Sequence, residues 1–268
     1  MTGADGPQII RSSIEGSDGN LKILQSSRTV LKKYIKTATE LQKNVDNIKI
    51  LGRDEDLKEV FDDFLISSPA ADLVKTGKIE VRSLKDNEQR SLVIVKDKAV
   101  MSYVNLAETI GALSSSDESL VSSSEAMFED LWEDGEEFNI RTPPMSKVKQ
   151  TLRDEIGEDT MDDFTEMLEK LEAAKGDGEG IDEITVALLC AARNNVLLYD
   201  ISKWGEDSGV ASKATFSRKK TELENSDLID TENVPIDIGR PRLRLKFADE
   251  TLQEASIEEI IEQAQTVL

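Results

Sequence analysis

From Leu198 to Glu224 the chain reads Leu-Tyr-Asp-Ile-Ser-Lys-Trp-Gly-Glu-Asp-Ser-Gly-Val-Ala-Ser-Lys-Ala-Thr-Phe-Ser-Arg-Lys-Lys-Thr-Glu-Leu-Glu, and from Gly239 it reads Gly-Arg-Pro-Arg-Leu-Arg-Leu-Lys-Phe. Few folds accept that order. Residues 199–207 have helical spacing, with Ile201 and Trp204 inward and Gly205 small enough for a second helix to approach. Gly209 makes the tight turn and Val210 plugs the angle between the helices. Ser212 is the N-cap of the second helix. Phe216 and Leu223 anchor that helix inward, with the stem of Lys220 beside them. Residues 228–236 and 243–247 then pair as strands around a tip at 237–242, where Gly239 permits the turn. The pattern is a helix-turn-helix followed by a β-hairpin, a winged helix.

Charge gives the same segment a second meaning. The chain carries 54 acids against 33 bases, a net of −21. Residues 211–247 nevertheless hold eight bases against six acids. Lys213, Arg218, Lys219 and Lys220 stand together with no acid between them, and so do Arg240, Arg242, Arg244 and Lys246. A net acidic protein can bind a polyanion if its positive charge is segregated in this way. The outer face of the second helix is therefore a candidate reader of the major groove. Arg218 has the reach for guanine N7 and O6. Ser212, Thr215, Ser217 and Thr221 supply hydroxyls on or near the same face. Lys213 and Lys219 suit phosphates, which position a protein without reading sequence. On the wing, Arg240 and Arg242 project where a minor groove or phosphate would lie. The rival reading is a protein-interaction scaffold, in which the helix pair only packs and the bases decorate a solvated face.

Composition removes other classes. Histidine is absent, which excludes His relays, Ser-His-Asp triads and histidine metal ligands. With no Gly-rich phosphate loop or metal cluster either, the expectation is no enzyme, no cofactor and no metal. The single cysteine, Cys190, excludes an internal disulfide and reads as a small core residue. With no signal pattern and no apolar run long enough for a bilayer, it points to a cytoplasmic protein without a membrane partner. The acidity reads as adaptation to a high-salt cytoplasm, although lysine, which such proteins often minimise on their surfaces, is well represented.

Along the chain, residues 1–20 are polar and Gly/Ser-rich and read as a flexible leader. Residues 21–140 read as an α/β sandwich-like domain, a sensor or dimerisation module. Its elements are a helical period at Leu21, Leu24, Leu31, Tyr34, Ile35 and Leu41, a strand over 47–51, and a helix over 54–65. A short helix over 67–74 follows, with Ser68 as N-cap and Pro69 first. Strands over 78–84, 91–95 and 99–104 come next, the last two a hairpin about Lys96-Asp-Lys98. The serines at 114–116 and 122–124 read as a loop and a helix start, before a helix over 125–137. Arg53, Ser67, Ser68 and Arg82 are the candidates to line an anion pocket, though each also suits a surface or capping role. Arg141-Thr-Pro-Pro144 is the boundary. Residues 145–268 read as the winged helix-turn-helix domain with flanking helices over 146–156, from a cap at 160–163, and over 181–193. A loop over 175–180 separates the last two. Ser256-Ile-Glu-Glu259 opens a final amphipathic helix. The fold class is α+β or α/β.

Ala187-Leu-Leu-Cys-Ala-Ala-Arg-Asn194, residues 198–209, residues 211–219 and Val234-Pro-Ile-Asp-Ile-Gly-Arg-Pro-Arg-Leu-Arg-Leu245 resemble the TbsP-type transcriptional regulators of haloarchaea. Ala70-Ala-Asp-Leu-Val74 and Arg141-Thr-Pro-Pro144 extend the likeness over nearly the whole chain. The resemblance implies a sequence-specific DNA-binding regulator of metabolic genes. The helix-turn-helix is also similar to that of TrmB-like sugar-responsive regulators, whose effector domain follows the DNA-binding domain rather than preceding it. One departure from general winged helices is Asn225-Ser-Asp227, where glycine usually stands, but Asn and Asp tolerate the left-handed backbone that turn needs.

These readings converge on a transcription regulator whose partners are promoter DNA, a second copy of itself and a small metabolite effector. A homodimer would set two recognition helices in successive major grooves. Its pairing surface would be the last helix, residues 160–171, or the N-terminal domain. Repression is favoured over activation, because a bound dimer can block a promoter.

Overall fold

The computed structural model describes residues 6–24, 26–42, 45–84, 91–106, 109–174, 181–237 and 241–268. The chain divides into two compact units between Pro144 and Met145.

The N-terminal unit begins with a helix where a leader is expected. Helix α1 (Gly6–Glu15) buries Ile10 and Ile14 completely or nearly so. Its polar residues are no obstacle, because Ser13 donates its hydroxyl back to the carbonyl of Ile10, as Ser17 just beyond the helix does to that of Ile14. Leu21 and Leu24, expected on a helix, form β1 (Leu21–Leu24) instead. The order then runs α2 (Arg28–Glu40), β2 (Ile48–Arg53), α3 (Asp54–Phe61), α4 (Phe64–Lys75), β3 (Ile79–Leu84), β4 (Leu92–Val95), β5 (Ala99–Leu106), β6 (Thr109–Ser115), α5 (Glu118–Asp134) and β7 (Glu136–Glu137). The single helix expected over 54–65 is broken, because Asp63 turns out to extended backbone and caps α4, accepting from the Leu65 N–H. Ser68 is therefore not a cap but a buried mid-helix residue, and Pro69 sits inside α4. There it withholds an N–H from the Leu65 carbonyl. Ser114 and Ser115 end a strand rather than forming a loop, and 122–124 lie within α5, which starts seven residues earlier than expected.

The strands lie in the order β6-β5-β4-β1-β2-β3-β7. β1, β2 and β3 run parallel, joined by α2 and by α3 with α4, and the flanking pairs are antiparallel. Alternation along each strand sorts side chains between two faces. Leu21, Ile23, Ile48, Ile50, Val81 and Val93 pack with residues of α1 to α4. Leu24, Leu51, Leu84, Ile94 and Val100 pack on the other side with Phe128 and Trp132 of α5. Helices on both faces of a mixed sheet make this an α/β sandwich.

The C-terminal unit is built around α8 (Glu183–Arg193), whose residues 184–192 are all buried. Asp182 caps it, accepting from the Thr185 N–H and Oγ1. α7 (Glu158–Ala174), α9 (Leu198–Ser208) and α10 (Lys213–Asn225) pack against it, α6 (Met145–Glu155) packs on α7 and α9, and α11 (Ile257–Val267) packs on α7, with a 3-10 turn at Glu250–Gln253. The cap expected at 160–163 is inside α7, where Thr160 is buried. Strands β8 (Ile229–Val234) and β9 (Arg242–Phe247) form an antiparallel hairpin. A hydrogen bond from the Leu245 N–H to the Val196 carbonyl and a bridge from Leu197 to Arg244 tie β9 to the segment before α9. Ser256 and Glu259 form the capping box of α11. Among the described residues, no helix is long and apolar enough to cross a membrane.

Candidate nucleic-acid interface

Local chemistry fixes the angle between α9 and α10. Gly209 ends α9 with φ +91°, in the left-handed region that favours glycine. Gly205 faces Phe216 so closely that a Cβ there would lie 2.6 Å from Cζ and closer still to Cε2. Phe216 is fully buried and meets Trp204 edge-on, with ring centroids 6.5 Å apart. Trp204 in turn meets Phe164 at 6.1 Å and donates its indole N–H to Thr151 Oγ1. Ser212 caps α10, accepting from the Thr215 N–H, and the two hydroxyls lie 2.9 Å apart. After α10, Asp227 takes φ +55°, the left-handed position that Asn225-Ser-Asp227 had to supply.

This frame leaves Lys213, Ser217, Arg218 and Thr221 exposed along α10, with Thr215 half-buried. Thr221 hydrogen-bonds back to the Ser217 carbonyl. Arg242 stacks on Tyr199, its guanidinium carbon 4.2 Å from the ring centroid, and lies 3.6 Å from Asp200. Arg240 and the tip at 238–240 fall outside the described residues.

The two acid-free runs of the sequence are not acid-free in space. Lys213 pairs with Glu206 of α9 at 2.7 Å. That hydrogen bond raises the lysine's pKa. Lys219 reaches Asp182 at 3.2 Å and Glu222 at 2.9 Å, and Lys220 reaches Glu224 at 2.6 Å. Burial opposes charge on Asp182, but the Thr185 hydrogen bonds and Lys219 outweigh it and hold the carboxyl below its ordinary range. Register neutralises the wing, since Glu232 stands across from Arg244 and Asp230 across from Lys246, and both pairs close. Among the described residues, Arg218 alone of the α10 cations makes no ion pair. A guanidinium held by no carboxylate keeps its full fork of donors for a base edge.

Tyr199 was not singled out by sequence reasoning. It is 46% exposed. Its signal is a lone aromatic in the first turn of α9 that the inward-facing pattern of Ile201 and Trp204 leaves outside. The acids Asp182 and Glu206 were missed for a different reason, because each pairs with a lysine on another element.

The four candidates for an anion pocket are separately engaged. Arg53 bonds Asp56. Arg82 donates to the Trp132 carbonyl at 2.7 Å and stacks on its ring at 4.8 Å. Ser67 donates to Thr142 Oγ1 and Ser68 to the Pro143 carbonyl, both serines being fully buried. The two serines pin the end of the unit to α4.

Two family models together match residues 1–265 of the chain. "Transcriptional regulator TbsP-like, N-terminal" matches residues 1–143. "Transcriptional regulator TbsP-like, C-terminal HTH domain" matches residues 144–265. A search of curated proteins found no match. Among solved structures, NucT from Helicobacter pylori is similar with TM-score 0.35 and 14% identity, over 50% of this chain and 91% of that one.

Proposed function

Because the chain belongs to the TbsP-like transcriptional regulators, whose helix-turn-helix domain makes it a DNA-binding regulator, we propose that it reads a specific promoter sequence through α10. The observation that carries this is Arg218, exposed on α10 and bound to no carboxylate among the described residues. Thr215, Ser217 and Thr221 lie on or beside its face. Lys213, Lys219, Arg242 and Arg240 contribute phosphate contacts, and Tyr199 carries Arg242. A homodimer sets two such helices one helical turn apart on a pseudo-palindrome, and occupation of the promoter represses it. The likeness to sugar-responsive regulators supports targets in central carbon metabolism and a metabolite effector held by the N-terminal unit. The abundance of carboxylates supports a cytoplasm rich in salt.

The test is genome-wide capture of DNA fragments by the purified protein in concentrated KCl, beside Arg218→Ala. Enrichment of a few promoters by the wild type alone is expected. Equal enrichment of the same promoters by Arg218→Ala would sink the reading of α10. The second reading, a winged-helix scaffold for a partner protein, draws on the wing pairs Arg244–Glu232 and Lys246–Asp230. It predicts no promoter enrichment by either protein.

A further inference from the structure

Among the described residues, the sheet of the N-terminal unit ends at β6, and β6 lacks the protections that exposed edges ordinarily carry. Natural edge strands discourage pairing with charge, proline, bulges or a covering element. Residues 99–116, which hold β5 and β6, contain one charged residue, Glu108, in a chain that is 32% charged. Residues 109–116 contain none, and no proline. The register with β5 is unbroken from Val100↔Ser115 to Leu106↔Thr109, so no bulge twists the edge away. Among the described residues, Ile110 to Ser115 make no backbone hydrogen bond beyond β5.

The two faces at this edge differ. On one face Ile110 is buried with α1 and α2. On the other, α5 packs over β3, β4 and β5. It leaves Val104 at 41% and Leu113 at 71% exposure. Val104 lies opposite Gly111 and Leu113 opposite Ser102, so the two apolar side chains share that face. Leu120, in the first turn of α5 just beyond β6, is also exposed.

We infer that this edge is where two copies of the chain join, β6 antiparallel to β6. The inference rests on the dimeric reading above and names its surface. Charge narrows where a second copy can sit. Two copies of a chain carrying −21 repel one another over most of their surfaces, and a neutral strand with apolar neighbours is where they meet with least repulsion. A two-fold axis normal to the sheet makes the contact self-complementary. It keeps both Leu113 side chains on one face of the joined sheet and satisfies the outward N–H and C=O groups of both strands.

The experiment is sedimentation of the full chain in concentrated KCl as wild type, Leu113→Lys and Leu113→Cys. The wild type is expected to sediment as a dimer. Leu113→Lys is expected to weaken pairing about a hundredfold, since two buried leucines are lost and two like charges are brought together. Leu113→Cys gives a check that does not depend on disrupting anything. The native Cys190 is buried, so a short bis-maleimide should link copies of the Leu113→Cys protein and leave the wild type unlinked. A dimer that survives Leu113→Lys, with no cross-link formed by the Leu113→Cys protein, overturns this interface while the dimeric reading stands. A wild type that is monomeric at working concentration overturns both, and Arg218-dependent promoter capture would then show that DNA reading survives without pairing.

Discussion

Gly205→Ala sets two effects of opposite sign against each other. Gly205 is inside α9, and replacing an interior helical glycine by alanine ordinarily stabilises by about 1 kcal/mol. Here the added Cβ would stand 2.6 Å from Phe216 Cζ and 3.1 Å from Cδ2, with Cε2 nearer than either. Ordinary carbon contacts begin near ~3.5 Å. The ring cannot swing away, because Trp204 lies against it and Phe164 and Thr151 hold Trp204. Relief must come from α9 and α10 moving apart. Overpacking of this kind costs about 3 kcal/mol at the upper end of its usual range, so the net expectation is a loss of about 2 kcal/mol. Trp204 and Trp132 are the two tryptophans of the chain, one in each unit. Denaturant unfolding followed by fluorescence in a Trp132→Phe background therefore reports the C-terminal unit alone. Gly209→Ala is the companion, since its Cβ would meet nothing within 4 Å and only the backbone conformation is strained. It should cost about 1–2 kcal/mol and leave the helix angle intact. A Gly205→Ala protein as stable as the wild type, or more so, would refute the claim that this contact sets the angle between the two helices.

Arg218→Ala should weaken operator binding by about 1–3 kcal/mol and leave non-specific binding nearly unchanged, measured by titrating operator and scrambled duplexes. Glu206→Gln frees Lys213 from its partner, so low-salt affinity for any duplex should rise severalfold rather than fall. Asp182→Ala removes the α8 cap and one of the two Lys219 partners, and should cost about 1 kcal/mol at neutral pH. The folded carboxyl is held below its ordinary 3.8, so the wild type's advantage should be present above that pH and vanish as pH falls through the lower folded value, seen as converging unfolding midpoints. Cys190 is buried and burial pushes its thiol pKa up. A thiol reagent should therefore label it only after unfolding, and rapid native labelling would contradict its place in α8.

The winged helix was legible because its signals are local. Ser212, Gly209 and the Ser256–Glu259 box each act within a few residues, Gly205 and Phe216 meet across a single turn, and the structure realises all of them. The electrostatics were not legible, because the partners come from elsewhere. Asp182 reaches Lys219 from the start of α8, and the β8–β9 register, not proximity in sequence, sets Glu232 against Arg244. In the N-terminal unit, Leu21 and Leu24 mimic a helical spacing, yet four residues between two strands make β1. Helix α1 was hidden by its polar residues, of which Ser13 satisfies its hydroxyl within its own turn. Ser68, which looked like a helix cap, is instead a buried fastener for Pro143, and Ser67 beside it fastens Thr142.

The carboxylates paired with Lys213, Lys219 and Arg242 also alter the thermodynamics of any encounter with a duplex. A lysine that leaves Glu206 for a phosphate expels a cation from the DNA, but the abandoned carboxylate gathers a cation from solution. The two exchanges oppose each other, and their balance sets how affinity responds to salt. Were every cation free, affinity would fall by orders of magnitude as salt rises through the usual range. With each phosphate contact partly offset by a released carboxylate, the net exchange of ions shrinks and affinity falls less steeply with ionic strength than it would for free cations. The same pairs that make the surface look ill-suited to a polyanion would let it hold one in brine.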